Sequence, residues 1–297
     1  MAAKPVLTRA LARSTAKGSG GPATVEPIAG SLSVGTSGWH YLPWRGLFYA
    51  EDAKPKDFLS YYVTRFTTTE LNNPFYRAPT DKAVVAWREA TADHFLFAWK
   101  VSRLITHMKH LKGVDENVAF LEARARNLGP KLGPFLVQLP PSLSIDRDRL
   151  GAFLTILPKH RRFAFEFRHP SWYEPGILDL LRDHDCALCL SDHAAAPSPF
   201  VATASFVYVR GHGPGGRYAG NYSDETLREW AASTARWRAE GRDVYVYFDN
   251  DIKTAARPPL GVNGSNCNYC NCKGSCEIRV TWRCQGGKLR GSRTTLT

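Results

Sequence analysis

The alternation of short apolar runs with helical patterns from Ser31 onward predicts an α/β fold, a single-domain TIM-like parallel (β/α) barrel. Three observations carry that prediction. Eight strand-like runs recur along the chain, most of them separated by a helical pattern, which suits a closed barrel better than an open sheet. No phosphate fingerprint follows the first run: Gly35-Thr36-Ser37-Gly38-Trp39 has too few glycines for a dinucleotide or nucleotide loop. An open doubly wound sheet is the alternative that this weighs against. Finally, most of the runs end in polar residues, and the ends of barrel strands are where catalytic groups sit.

In chain order, strands are predicted at Leu32–Thr36, Thr67–Leu71, Phe95–Val101, Phe135–Leu139, Phe163–Phe167, Ala187–Ser191, Phe206–Arg210 and Val244–Phe248. Helices are predicted over Pro55–Phe66, Asp81–Thr91, Glu116–Leu128, Arg147–Leu157, Pro175–Asp183 and Asp224–Glu240. Thr80 and Ser223 stand where a side-chain oxygen caps a helix, and Asp224-Glu225 suits the positive end of the helix dipole. The connection His193–Thr203 is Ala- and Pro-rich and reads as irregular.

Side chains alternate faces along a strand, so parity sorts the barrel interior from the helix-facing side. In Phe163-Ala164-Phe165-Glu166-Phe167-Arg168 the three Phe belong against helices, which turns Glu166 and Arg168 inward. The same count turns Lys100 inward with Ala98, and Glu70 and Asn72 inward while Leu71 packs outward. With Val207 and Val209 facing helices, Arg210 and His212 point in. Val244, Val246 and Phe248 likewise leave Asp249 inside, and Gln138 and Asp192 end their strands in the same sense. Polar groups gathered over an apolar body are costly unless they meet water, a ligand or one another.

The chain carries a net charge of +12, unevenly spread. Residues 1–30 hold four Lys/Arg and one Glu, and residues 254–297 seven and one, which leaves 28 basic and 25 acidic side chains between them. A basic body that would grip polyanions is therefore not what the charge implies. No apolar run reaches the ~18 residues a membrane span needs, and residues 1–30 lack the continuous apolar core of a secretory signal. The domain reading is a disordered leader over 1–30, the barrel over 31–253, and an atypical Cys/Arg/Gly-rich tail over 254–297. Cys186 and Cys189 in an apolar stretch suit a reducing, cytoplasmic setting. In the tail, Cys267, Cys270, Cys272 and Cys276 are close enough for zinc thiolates but lack two clean C-x2-C knuckles.

Several motifs converge on one resemblance. Val34-Gly35-Thr36-Ser37-Gly38-Trp39, Trp44-Arg45-Gly46, Glu70-Leu71-Asn72 with Phe75-Tyr76, and Gln138-Leu139-Pro140-Pro141 resemble the YecE-like family. So do Glu166-Phe167-Arg168-His169 with Ser171-Trp172, Tyr208-Val209-Arg210 with His212-Gly213, and Tyr247-Phe248-Asp249-Asn250. The resemblance implies a TIM-like barrel over roughly residues 33–253 and no reaction. It also implies a final apolar helix after Asp251, which the sequence here lacks. Val244, Val246 and Phe248 are therefore expected to lie partly exposed.

The inward set suggests a site. Glu166 and Asp249 are the candidate general acid or base, with Lys100 and Arg210 as catalytic cations that stabilise developing negative charge. Glu70, Asn72, Tyr76, Gln138, Arg168, Asp192, His212 and Trp39 are the candidate ligand-binding residues. Arg168 belongs to the clamp because guanidinium grips phosphate or carboxylate in bidentate fashion. The aromatics Trp39, Tyr41, Trp44, Phe75, Tyr76 and Trp172 follow strand ends, where rings stack on a base or sugar. A divalent metal would draw on the carboxylates and His212 or His107, but three cations oppose it, so an anionic small molecule or nucleic acid is the favoured partner. Two readings stay open: a hydrolase or lyase acting on a phosphate-bearing ligand, and a non-catalytic binding module. The structural alternative is a self-satisfied ion-pair network that caps the core.

Overall fold

In the computed structural model, which describes residues 29–250, eight parallel strands pair in chain order and close through the last against the first. They are β1 (Leu32–Thr36), β2 (Thr68–Leu71), β3 (Leu96–Lys100), β4 (Leu132–Gln138), β5 (Phe163–Glu166), β6 (Ala187–Ser191), β7 (Phe206–Gly211) and β8 (Asp243–Phe248). The helices are α1 (Phe58–Tyr62), α2 (Asn73–Tyr76), α3 (Asp81–Glu89), α4 (Asp115–Ala125), α5 (Arg147–Ile156), α6 (Pro175–Asp183) and α7 (Asp224–Ala239). The TIM-like barrel is therefore the fold. Both sequence-predicted caps form: Thr80 Oγ1 accepts from the Ala83 N–H and Ser223 Oγ from the Thr226 N–H, each at 3.2 Å. The β6–β7 connection carries no helix. The leader and the cysteine-rich tail lie outside the described residues.

Several element ends shift from the sequence reading by one to three residues, and two of the differences bear on local structure. The helix expected over Pro55–Phe66 divides into a 3₁₀ turn, Pro55–Asp57, and the short α1. Strand β4 begins at Leu132 rather than Phe135, because Gly133-Pro134 reads as a turn but sits beside a bulge. There the ladder is already interrupted, so proline's missing N–H costs little.

Parity sorts the side chains as expected. Inside the barrel, Ala98, Leu136, Ala164, Ala187 and Cys189 face Phe206, Tyr208, Tyr245 and Tyr247. Small residues on β3, β5 and β6 make room for the large rings of β7 and β8. Outside, Phe97, Trp99, Val137, Phe165, Leu190, Val207 and Val209 pack with the helices in the larger core.

The outer face of β8 corrects one expectation. Val244, Val246 and Phe248 are buried, not exposed. Phe248 stacks on Trp230 of α7 with centroids 6.2 Å apart and lies 5.9 Å from Tyr222. Trp230 of α7 and Tyr222 just before it thus lean over the end of the strand. Beside them an apolar groove remains, lined by Leu32, Val34, Phe200, Leu227 and Trp230 among others. Phe200 is 44% exposed. Fully burying one such side chain stabilises by about 1.5–3 kcal/mol. An amphipathic helix grafted after Asn250 is therefore expected to raise the urea midpoint, whereas equal midpoints for the two chains would show that the groove is already covered in solution.

Candidate functional site

Arg210 is the centre of the mouth formed by the strand ends, and it is fully buried. Its guanidinium donates to Glu70 Oε1 and Glu166 Oε2, both at 2.8 Å, and to Asp249 Oδ2 at 2.7 Å. Three strands thus deliver one carboxylate each to one planar cation, which its five donors in a fixed fork can serve. Glu70 is saturated, because Tyr208 Oη donates to its Oε2 at 2.6 Å and Ser37 Oγ to its Oε1 at 2.9 Å.

Arg168 completes the network from the end of β5. It meets Glu166 Oε1 at 2.7 Å, donates to Tyr218 Oη at 2.7 Å, and reaches His212 Nε2 at 3.0 Å. Arg210 also lies 3.2 Å from that nitrogen. Both guanidiniums are thus in hydrogen-bonding reach of Nε2, while Nδ1 faces Asp192 Oδ1 at 3.3 Å. Asp192 is held in turn by the His212 N–H at 2.7 Å and by Tyr222 Oη. The loop that carries Tyr218 depends on Gly213, at φ +91°, where a Cβ would lie 2.2 Å from the Ala219 carbonyl oxygen.

These contacts revise the roles expected of the cations and of Glu166. Burial alone would raise the Glu166 carboxyl, but Arg168 and then Arg210 outweigh it and hold it well below the usual carboxylate range. A carboxylate ionised and engaged on both oxygens positions arginines and is poorly placed to move a proton. Arg210 likewise serves three carboxylates, which leaves it little capacity for a ligand. Asp249 differs: Oδ2 is taken by Arg210, while Oδ1 accepts no hydrogen bond from a described residue.

Lys100 stands apart from the other two cations. No carboxylate oxygen of a described residue lies within 4.0 Å of its Nζ. Instead, Nζ sits 4.6 Å from the centre of the Phe75 ring. Burial and then Arg210 lower its pKa to about 8, against the partial support of Asp249, Glu70 and Glu166. His107 packs edge-on to the same Phe75 ring at 5.0 Å, with Nδ1 2.8 Å from Thr106 Oγ1. Burial, then Lys100, Arg103, His110 and Arg168, push it down to about 4, so it is neutral at pH 7. His193, beside His212 and Tyr218, is lowered to about 4 by burial, Arg168 and His212.

The remaining candidates divide. Asn72 is fastened by Nδ2 donating to the Ser37 carbonyl at 2.9 Å, while its Oδ1, Gln138 Oε1 and Arg168 Nε are buried without a partner among the described residues. Such atoms are costly unless water or a ligand meets them. Tyr76 is 71% exposed at the rim. Trp39 is a correction: it is buried against Trp87 and Phe97, at centroid distances of 5.8 and 6.4 Å, so its ring is core packing. Trp44 and Trp172 are buried in the same way. Sequence reasoning missed Ser37, Tyr208 and Tyr218. Tyr208 shares the parity of Arg210 and was legible, whereas Tyr218 lies in a glycine-rich loop with no periodic signal. Among the described residues, no group of three or more His, Cys, Asp or Glu is arranged to hold a metal ion. No described helix is long and apolar enough to cross a membrane.

Comparison with known proteins adds three findings. The family model described as "Protein of unknown function DUF72" matches residues 33–259. The UPF0759 protein YecE of Escherichia coli K12 is 29% identical over 146 residues, which is 49% of this chain and 51% of that protein. The alignment thus spans about half the length of the curated relatives. Among solved structures, a DUF72 family protein from Thermotoga maritima is similar at a TM-score of 0.68 and 27% identity, covering 79% of this chain and 96% of that one. A DUF72 family protein from Enterococcus faecalis shares the fold at a TM-score of 0.64 and 19% identity, covering 76% and 91%.

Proposed function

The chain belongs to the DUF72, or YecE-like, family of proteins of unknown function, and from that premise we propose that its strand-end mouth is an enzyme site of hydrolase or lyase type for a phosphate-bearing ligand, a nucleotide or nucleic acid included. The carrying observation is Lys100, a buried ammonium with no carboxylate of a described residue in reach. It lies where Arg103, His110 and Arg168 also act on His107, so one side of the mouth is electropositive. In this reading Lys100 meets the anion, Arg168 offers its unpartnered Nε, and Asp249 Oδ1 handles a proton as general base. Glu166 and Glu70 hold the arginines in place. Neutral His107 and His193 serve as hydrogen-bond partners. The setting is cytoplasmic, consistent with the buried free thiols of Cys186 and Cys189.

Calorimetric titration with inorganic phosphate tests the reading. A hydrogen bond to a charged group contributes about 1.5–3 kcal/mol, so Lys100→Met is expected to weaken binding by roughly tenfold or more. Lys100 carries its charge below its pKa of about 8, so wild-type affinity should fall as pH rises through that value. Stability should move the other way. The folded protein disfavours the charged form that the unfolded chain carries, a cost present below about pH 8 and relieved as pH rises towards the ordinary lysine value. At pH 7 Lys100→Met is therefore expected to raise the urea midpoint while it weakens phosphate binding. Unchanged phosphate affinity would remove the proposal.

A second reading, a non-catalytic anion-binding module, is favoured by the way Arg168 and Arg210 are already engaged by carboxylates. Turnover separates the two: with a chromogenic phosphodiester, Asp249→Asn should abolish hydrolysis yet retain phosphate binding if the site is catalytic.

A further inference from the structure

We infer that Lys100 is a nucleophilic amine, which forms an imine with an aldehyde or ketone carried by an anionic ligand. The inference rests on the reading of the mouth as an anion site and narrows its substrate to a carbonyl compound.

The molecule holds a useful contrast. Lys131 is 5% exposed and is a structural lysine: its Nζ donates to the carbonyls of Arg88 and Thr91, each at 2.7 Å, and approaches Thr91 Oγ1 at 3.3 Å. Its charge and all three protons are accounted for. Lys100 is 9% exposed and its Nζ has neither hydrogen bond nor ion pair from a described residue, although three carboxylates sit in the same mouth. Arg210 takes all three of them. A buried lysine beside another cation, with no anion to fix its proton, is the setting that frees an amine lone pair near neutral pH.

The neighbours suit the chemistry. The Phe75 face, 4.6 Å from Nζ, favours a cation. His107 rests on that ring with Nδ1 engaged by Thr106 Oγ1. A neutral imidazole there adds no second positive charge beside the amine. In the step, the Nζ lone pair adds to the carbonyl carbon, the π pair moves to oxygen, and a proton passes from nitrogen to oxygen. Oxygen then leaves as water with a second proton, and C=N forms. Counted from the ammonium, one carbonyl and one lysine cation give one iminium and one water, with no oxidant or reductant required. The iminium keeps the single positive charge already accommodated over Phe75.

The test uses the full chain with glycolaldehyde phosphate, cyanoborohydride to reduce any imine, and peptide mass spectrometry of every lysine. An ordinary lysine at pH 7 is well under one per cent free amine, on the order of a hundredfold less than one whose pKa is near 8. Lys100 is therefore expected to be alkylated at least tenfold faster than the exposed Lys82, Lys112 and Lys159, with a rate that levels off above about pH 8. Labelling of Lys100 no faster than of those three overturns the inference. If phosphate still binds in that case, the anion reading survives alone. Uncharged glycolaldehyde supplies the other arm: if it labels Lys100 as fast as the phosphate ester does, the amine is established and the phosphate preference fails.

Discussion

Arg210→Ala is expected to lower the free energy of unfolding by about 3–5 kcal/mol, because it leaves buried carboxylates without their partner. Two of them, Glu70 and Glu166, belong to fully buried residues, and among the described residues Arg210 is the one cation that touches both along with Asp249. A domain stable by only ~5–15 kcal/mol would come close to unfolding. The cost lies mainly in stranded charge and less in lost attraction. A companion variant, Arg210→Met with Glu70→Gln and Glu166→Gln, is therefore expected to recover much of the stability. Urea unfolding at pH 7 checks both, and a loss below about 1 kcal/mol for Arg210→Ala would show that the carboxylates find water instead. The pH dependence follows the sign of the Glu166 shift. Its folded carboxyl titrates well below the unfolded value, so its contribution is complete above about pH 4.3 and is lost as pH falls towards the folded value. Wild type should thus lose stability on acidification more steeply than Glu166→Gln does.

Trp172→Ala is expected to cost a similar amount, about 3–5 kcal/mol, through a cavity in the core. The indole is fully buried, stacks on Phe167 with centroids 4.9 Å apart and planes 5° apart, and donates from Nε1 to the Leu143 carbonyl at 2.7 Å. Trp172→Phe keeps a ring in place but strands that carbonyl, for an intermediate loss of about 1–3 kcal/mol. Because the turn Pro170–Trp172 directly follows Arg168 and His169, phosphate affinity should fall as well, through displacement of Arg168. Full stability with selective loss of ligand binding would instead make Trp172 a stacking surface. The thermal midpoint and the phosphate titration of the same variant decide between the two.

The aromatic residues show where sequence reasoning reached its limit. Trp39, Trp44 and Trp172 stand just after strand ends, so position alone allows a ring that faces a ligand. The rings of Trp87, Phe97, Phe48 and Phe167 claim them instead, and none of those partners is adjacent in sequence. Tyr218 is the converse, a loop residue with no pattern that meets Arg168 from 50 positions away.

What the sequence determined by itself is periodic and local. The eight strands, the caps at Thr80 and Ser223, and the inward parity of Glu70, Lys100, Glu166, Arg168, Arg210 and Asp249 follow from the two-residue repeat of a strand and from the hydrogen-bonding needs of a helix's first turn. Tertiary structure decided which inward charges neutralise one another. Parity directs a side chain to the interior but carries no information about its distance from groups on other strands. Arg210 reaches three carboxylates because β2, β5 and β8 all end around it once the barrel closes, and Lys100 has none of the described ones because its three neighbours are already taken. That allocation is set by ångström-scale geometry across strands distant in the chain, and it separates the arginines that hold the mouth together from Lys100, which no described carboxylate engages.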